Sequence, residues 1–313
     1  MNDWDYIYAV ARIKVREKDL LSSQEISQLV SMPSETAVRE YLASKNYDVD
    51  TMEAETMALM KELGVEETYF DVLSYPELFH NAKAGIKEVV TSEEHPKAFY
   101  PLEGFGRAEV LKILNEKDYE HLPAILQKVV PEAFAVMLKT RDGQVLDVMM
   151  DRACLEATEE AAKKSKSPLF KDYALSKVAL SNIKVAARAK KMGKSRDFLD
   201  SALSDSSRID IEGLKEAVLS EDENALYTFM EKQGLKEGAE ALKTSGAAFE
   251  RWCDNHLIET LRAEKDHYES VGPLLAYYLA RQNEVKTLRI ILTGKANGFS
   301  DEMIRERVRE MYV

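Results

Sequence analysis

The chain has 313 residues, 45% of them hydrophobic and 31% charged, a soluble globular balance with length for two or three domains. Its net charge of −12 leaves no basic domain or stripe of the kind nucleic-acid binders show, and the densest basic run, 184–194, reads as a solvated or partner-facing helix flank. No stretch approaches 18 apolar residues, which argues against a membrane-spanning helix, and only 13 Gly and 8 Pro suit long helices better than a turn-rich β-sandwich.

The first five residues are acidic and lack a basic leader, so no secretory signal is expected. Trp4, Ile7, Tyr8, Ala11 and Val15 fall at helical spacing and predict a buried face, with Arg12 and Arg16 flanking it on one side and Lys14 on the other. Pro33 can open the next helix. Residues 49–63 read as a Met- and Leu-rich helix ending at Gly64. Pro76 is expected at the first position of a helix over 76–90, with Leu78, Ala82, Gly85, Ile86 and Val89 inward.

Two linkers follow from turn chemistry: residues 100–106, with Pro101, Gly104 and Gly106, and residues 204–207, a small polar run. They divide the chain into helical domains 1–103, 104–206 and 207–313. Paired helical patterns are bracketed by Ile113 and Leu126 in the second part and by Ala217 and Met230 in the third; Leu29 and Leu42 keep the same interval in the first. Residues 145–150, after Arg141-Asp142-Gly143, are the one ambiguous piece between helix and strand. Near the end, Pro273 opens a helix whose stripe is Leu275, Tyr278, Val285, Leu288, Ile291 and Leu292, and Gly294 and Gly298 are expected to stop it. Ser300 caps a last helix with Asp301 and Glu302 in its first turn and Ile304, Val308 and Met311 inward, while Arg305, Arg307 and Arg309 point elsewhere.

A short pattern recurs through this helical chain. Asn81-Ala82-Lys83, Asn182-Ile183-Lys184 and Glu284-Val285-Lys286 place their lysines 101 and 102 residues apart. Asp50, Asp151 and Asp254 lie 33, 33 and 32 residues before those lysines. A period near 100 residues is too long for a solenoid unit and fits a small domain. The expected architecture is all-α, three similar helical domains in a pseudo-threefold arrangement around a central opening. The bland reading of Asn81, Lys83, Asn182, Lys184, Glu284 and Lys286 is structural: an inter-helix hydrogen bond or ion pair, repeated because the domain is repeated. The sharper one puts each lysine at the opening, facing a partner.

The sequence carries no catalytic signature. The five histidines, His80, His95, His121, His256 and His267, offer no convincing zinc spacing, even where His256 follows Cys253 and Asp254. No phosphate-cradling loop occurs; residues 293–298 have glycines too close together and end a helix. No Gly-x-Ser-x-Gly elbow is present. Cys154 and Cys253 read as buried residues and not as a disulfide framework. The chain is expected to be no enzyme, to need no cofactor or metal, and to bind no nucleic acid.

The C-terminal run Tyr277-Tyr278-Leu279-Ala280-Arg281-Gln282-Asn283-Glu284-Val285-Lys286, continuing through Thr287 to Gly298, and then Ile304-Arg305-Glu306-Arg307-Val308-Arg309, resemble the C subunit of the prokaryotic V/A-type ATPases, which corresponds to the d subunit of eukaryotic V-ATPases. The opening Tyr6-Ile7-Tyr8-Ala9-Val10-Ala11-Arg12, together with Phe79-His80-Asn81-Ala82-Lys83 and Ser181-Asn182-Ile183-Lys184, is similar to the same family. The resemblance spans the chain. It implies three helical domains forming a funnel, a central cavity that accepts the D and F subunits of the central stalk, and a face on the membrane proteolipid ring. It implies a non-catalytic part of the rotor, cytoplasmic and peripheral, that passes torque between ATP turnover and proton or sodium transport without inserting into the membrane. The alternative is a helical-repeat scaffold binding other soluble proteins. Interfaces favour Arg and Tyr anchors, so the candidate partner residues are Arg12, Arg16, Tyr278, Arg281, Arg289, Arg305 and Arg307.

Overall fold

The computed structural model describes residues 3–263 and 267–313, with side chains from Tyr6 onward. Every regular element among these residues is helical. Besides three short 3-10 turns, the α-helices in chain order are α1 (Asp3–Arg16), α2 (Ser23–Val30), α3 (Glu35–Ser44), α4 (Met52–Glu62), α5 (Glu67–Thr91), α6 (Arg107–Glu116), α7 (Val129–Thr140), α8 (Gly143–Lys164), α9 (Pro168–Lys191), α10 (Arg196–Ala202), α11 (Ile211–Leu219), α12 (Ala225–Lys232), α13 (Lys236–Thr244), α14 (Gly246–Arg262), α15 (Gly272–Ala296) and α16 (Asp301–Arg305). No described helix is long and apolar enough to cross a membrane.

The chain divides into two compact units. One comprises residues 1–67, 165–177 and 224–313; the other comprises 68–164 and 178–223. The first unit has a core of Leu21, Ile26, Leu29, Val38 and Leu42 from the N-terminal helices packed with Val285, Leu288, Ile291 and Ile304 from the C-terminal ones. Early and late segments of the chain thus share one apolar core. The second unit has its own core of Phe79, Ile86, Val110, Leu114, Leu126, Phe134, Leu146 and Met150.

Serine caps fix several helix starts. The Ser22 hydroxyl accepts from the Glu25 N–H while the Glu25 carboxylate accepts from the Ser22 N–H, a reciprocal capping box. Ser300 caps α16 as the sequence indicates, accepting from the Met303 N–H at 3.3 Å. Residues 145–150 lie inside α8, because Asp142 accepts from the Gln144 N–H at 2.8 Å and starts a helix there.

Several expectations are corrected. The outward face of α1 is the predicted buried one: Ile7, Tyr8, Ala11 and Val15 are exposed, while Ala9, Val10 and Ile13 are buried. This helix is apolar on both sides, so periodicity alone could not pick the inner side. The Trp4 side chain lies outside the described residues. Pro76 does not open a helix; it sits within α5, exposed, and the helix runs through it. Gly294 does not end α15. It is buried within that helix, where a Cβ would come within 2.7 Å of Ile304, so it lets α16 approach; Gly298, with φ +68°, follows the helix end.

Beyond α16 the chain turns and then runs without regular structure, and side chains of its own unit hold it. Asn255 accepts from the Glu310 N–H at 3.0 Å, Asn283 donates to the Glu310 carbonyl at 2.8 Å, and Arg262 donates to the carbonyls of Met311 and Tyr312. Arg309, expected to point away from the core, is buried and donates to Asp254 at 2.6 Å.

Candidate interaction sites

The recurring Asn/Glu positions do one job in three places. Asn81 is fully buried on α5. Its amide donates to the carbonyls of Tyr100 and Phe105, both at 2.9 Å, and its oxygen accepts from the Tyr100 N–H at 2.8 Å. Asn182, fully buried on α9, donates to the Ser204 carbonyl at 3.1 Å and accepts from the Ser204 N–H at 3.0 Å. Glu284, buried on α15, accepts from the Leu21 N–H at 2.6 Å. Each of these side chains therefore pins an irregular segment that leads into a short helix: α6, α11 and α2 in turn. Buried backbone groups outside helices must find partners, and a polar side chain on a neighbouring long helix supplies them.

The chemistry differs at the third pin. An amide both donates and accepts, whereas a carboxylate only accepts. Glu284 accordingly carries a counter-ion: Arg281, one turn earlier, forms a buried pair with it and donates to the hydroxyls of Tyr277, at 3.1 Å, and Tyr47, at 3.3 Å. Burial holds the Glu284 carboxyl above the usual carboxylate range, with Arg281 and the Leu21 N–H opposing. Burial, together with Glu284, pushes the Tyr47 phenol up to about 12.

The lysines of the motif do not act alike. Lys83 meets Asp151 on α8 at 2.6 Å, and Lys286 meets Asp254 on α14 at 2.5 Å. Lys184 makes no ion pair among the described residues, and Asp50 lies 3.7 Å from Arg39 instead of near a motif lysine. Asp254 also holds Arg309; burial would raise its carboxyl, but Lys286 and Arg309 together keep it below the ordinary range.

The candidate anchors separate by burial. Tyr278 and Arg281 are buried in the first unit, and the Arg281 guanidinium is committed to Glu284 and two tyrosines. Tyr278 falls on the apolar stripe of α15, and Arg281 borders a cleft from its buried place. Arg12 pairs with Glu62 at 2.6 Å and Arg289 with Glu53 at 2.6 Å, both at the surface. Arg16 is exposed. Arg305 donates to the Ser27 and Ser31 hydroxyls at 2.7 and 2.6 Å, and Arg307 lies over the Phe299 ring at 5.8 Å. Arg12, Arg16 and Arg281 do line one cleft of about 790 Å³, with Lys18, Lys45 and Tyr47, but Asp19, Glu25, Glu55 and Glu62 line it too. This cleft is a mixed-charge surface, not an anion trap.

No cluster of three metal-ligating side chains occurs among the described residues, and Cys154 and Cys253 are both buried. Sequence reasoning missed Arg251, Asn255 and Asn283, whose side chains reach backbone atoms far along the chain. Their only sequence signal is a polar group on a helix face next to apolar core positions.

The model of the ATP synthase (C/AC39) subunit family matches residues 9–307. The C subunit of the V-type sodium ATPase of Enterococcus hirae is 24% identical, with 96% of this chain and 97% of that protein aligned. The C subunits of A-type ATP synthases are similar over comparable lengths: that of Desulfurococcus sp. is 23% identical, covering 98% of this chain and 91% of its own, and that of Pyrococcus furiosus 22%, covering 98% and 90%. With nearly its whole length matched, the chain belongs to the ATP synthase (C/AC39) subunit family, the C subunits of the V/A-type ATPases.

Proposed function

We propose that this chain is the non-catalytic rotor socket of a V/A-type ATPase. It receives the D and F subunits of the central stalk on one side, rests on the membrane proteolipid ring on the other, and passes torque between ATP turnover and proton or sodium movement. It would lie peripherally on the cytoplasmic face, held by the complex. Three helical domains, 1–103, 104–206 and 207–313, would form the funnel. The observation that carries the reading is the repeated pin. Asn81, Asn182 and Glu284 stand 101 and 102 residues apart, and each fixes an irregular segment to a long helix. The first two pinned segments contain or adjoin the two proposed domain boundaries, and the third pin reaches back to Leu21, so the last repeat secures the start of the first.

A torque adaptor must be stiffened where it would bend most readily, at the turns between helices. Buried, fully bonded pins meet that need, since opening one orphans backbone groups at about 1–3 kcal/mol each. Exposed Arg16, Arg305 and Arg307 would supply contacts, with Arg12 and Arg289 available by exchanging their surface pairs.

The reading is tested by assembling the ATPase with and without this chain. With it, ATP hydrolysis should drive ion uptake into vesicles. Without it, hydrolysis should persist and ion uptake should vanish. Coupled transport in its absence would rule out the socket role.

A further inference from the structure

We infer that a cleft of about 520 Å³ in the first unit is a docking site for an acidic peptide segment of a protein partner. The cleft lies among α2, α13, α14, α16 and the irregular segment after α16. Its volume falls within the range of about 300–1,000 Å³ common to ligand clefts.

Its charge is unlike that of the chain. Arg251, Arg305 and Arg309 line it, and Glu310 is its single lining carboxylate. Arg309 is already neutralised by Asp254 at 2.6 Å. Arg251 and Arg305 have no carboxylate partner among the described residues. Arg251 donates to the Glu306 carbonyl at 3.1 Å, and Arg305 to two serine hydroxyls. In a chain with 55 acidic and 43 basic side chains, most exposed arginines would be expected to find a carboxylate. Two guanidiniums facing one cleft with only neutral partners can still take carboxylates in fork geometry. Against a net charge of −12, this cleft is a local site that attracts an anionic segment.

The floor chooses the class of anion. Ile26 and Val30 lie beneath, with Val308 and the half-buried Trp252 beside them. Trp252 is held between Phe249 and His256 by ring stacking. A free phosphate would leave these apolar surfaces unused, whereas a peptide with leucine-like residues next to glutamates would cover them and meet both arginines. The inference goes beyond the rotor reading, because it fixes the chemistry of what docks and not the complex that supplies it.

The test uses the full chain carrying Trp4→Phe, which leaves Trp252 as the sole indole of the two in the sequence. The probe is a short acetylated peptide of alternating glutamate and leucine pairs, followed by Trp252 fluorescence. Saturable binding that weakens with added salt is expected. It should fall about tenfold, the scale of one charge-assisted hydrogen bond, when glutamine replaces glutamate in the probe or Arg305→Gln is introduced. Circular dichroism melting checks that Arg305→Gln stays folded, and the salt dependence stands without any variant. Equal binding of both peptides, salt-independent binding, no saturation, or the same arginine-dependent signal from inorganic phosphate alone would each overturn the proposal.

Discussion

Asn81 and Asn182 in the second unit and Glu284 in the first hold comparable turns by different chemistry. The amide pins are self-sufficient: each gives and takes hydrogen bonds, and neither needs a charge nearby. The carboxylate pin makes a shorter bond to Leu21 but depends on Arg281, which in turn depends on Tyr47 and Tyr277. A neutral pin is therefore indifferent to pH and fails alone. A charged pin is pH-sensitive and fails as a network. The charged version sits where the two sequence ends of the chain share a core.

The largest effect should come from breaking the charged pin on one side. Glu284→Ala leaves the buried Arg281 guanidinium uncompensated, and urea unfolding should show a loss of about 3–5 kcal/mol. The double change Glu284→Met with Arg281→Met should be less damaging than Glu284→Ala, because it removes both charges together. If the double variant is the worse of the two, the pair is a net stabiliser and the contrast between the pins is wrong. Next in size, Asn81→Ala and Asn182→Ala should each cost about 1–3 kcal/mol for every backbone group orphaned, with Asn81, which holds three, the more costly.

The pH dependence separates the pins more finely. The folded Glu284 carboxyl lies above its ordinary value, so its contribution is fully present at low pH and is lost as pH rises from about 4.3 through the folded value. Asp254 is shifted the other way: its contribution is complete above about 3.9 and is lost as pH falls through its lowered folded value. Urea midpoints measured against pH should lose the first slope in Glu284→Gln and the second in Asp254→Asn, while Asn182→Ala keeps both. The smallest effect is expected at the surface, where Arg289→Gln gives up a pair with Glu53 and should move stability by no more than about 0.5 kcal/mol.

The helical class, the pins and the last capped helix were legible because each rests on local chemistry: sparse Gly and Pro, a polar residue among core positions, a serine before two acids. The inner face of α1 was not, since Ile7, Tyr8 and Val15 compete with Val10 and Ile13 and only tertiary packing chooses between them. Pro76 misled because its fixed φ suits a helix start as well as a helix interior whose lost hydrogen bond is tolerated. Arg281 read as a partner anchor because arginine favours interfaces, although its counter-ion Glu284 and the Tyr277 phenol lie within about one turn of it; the partners that complete the burial of Arg281 and Arg309, Tyr47 and Asp254, come from distant residues. The cleft around Arg251 and Arg305 was invisible for the same reason: its lining is drawn from residues 23–30, 241–255 and 305–310.

The central claim is that the chain is a socket for the central stalk. Its most direct test is to mix the purified protein with the recombinant D–F stalk and weigh the product by native mass spectrometry. The account predicts a complex containing one copy of each of the three chains. A folded, helical protein that leaves the D–F pair unbound at micromolar concentration would contradict it.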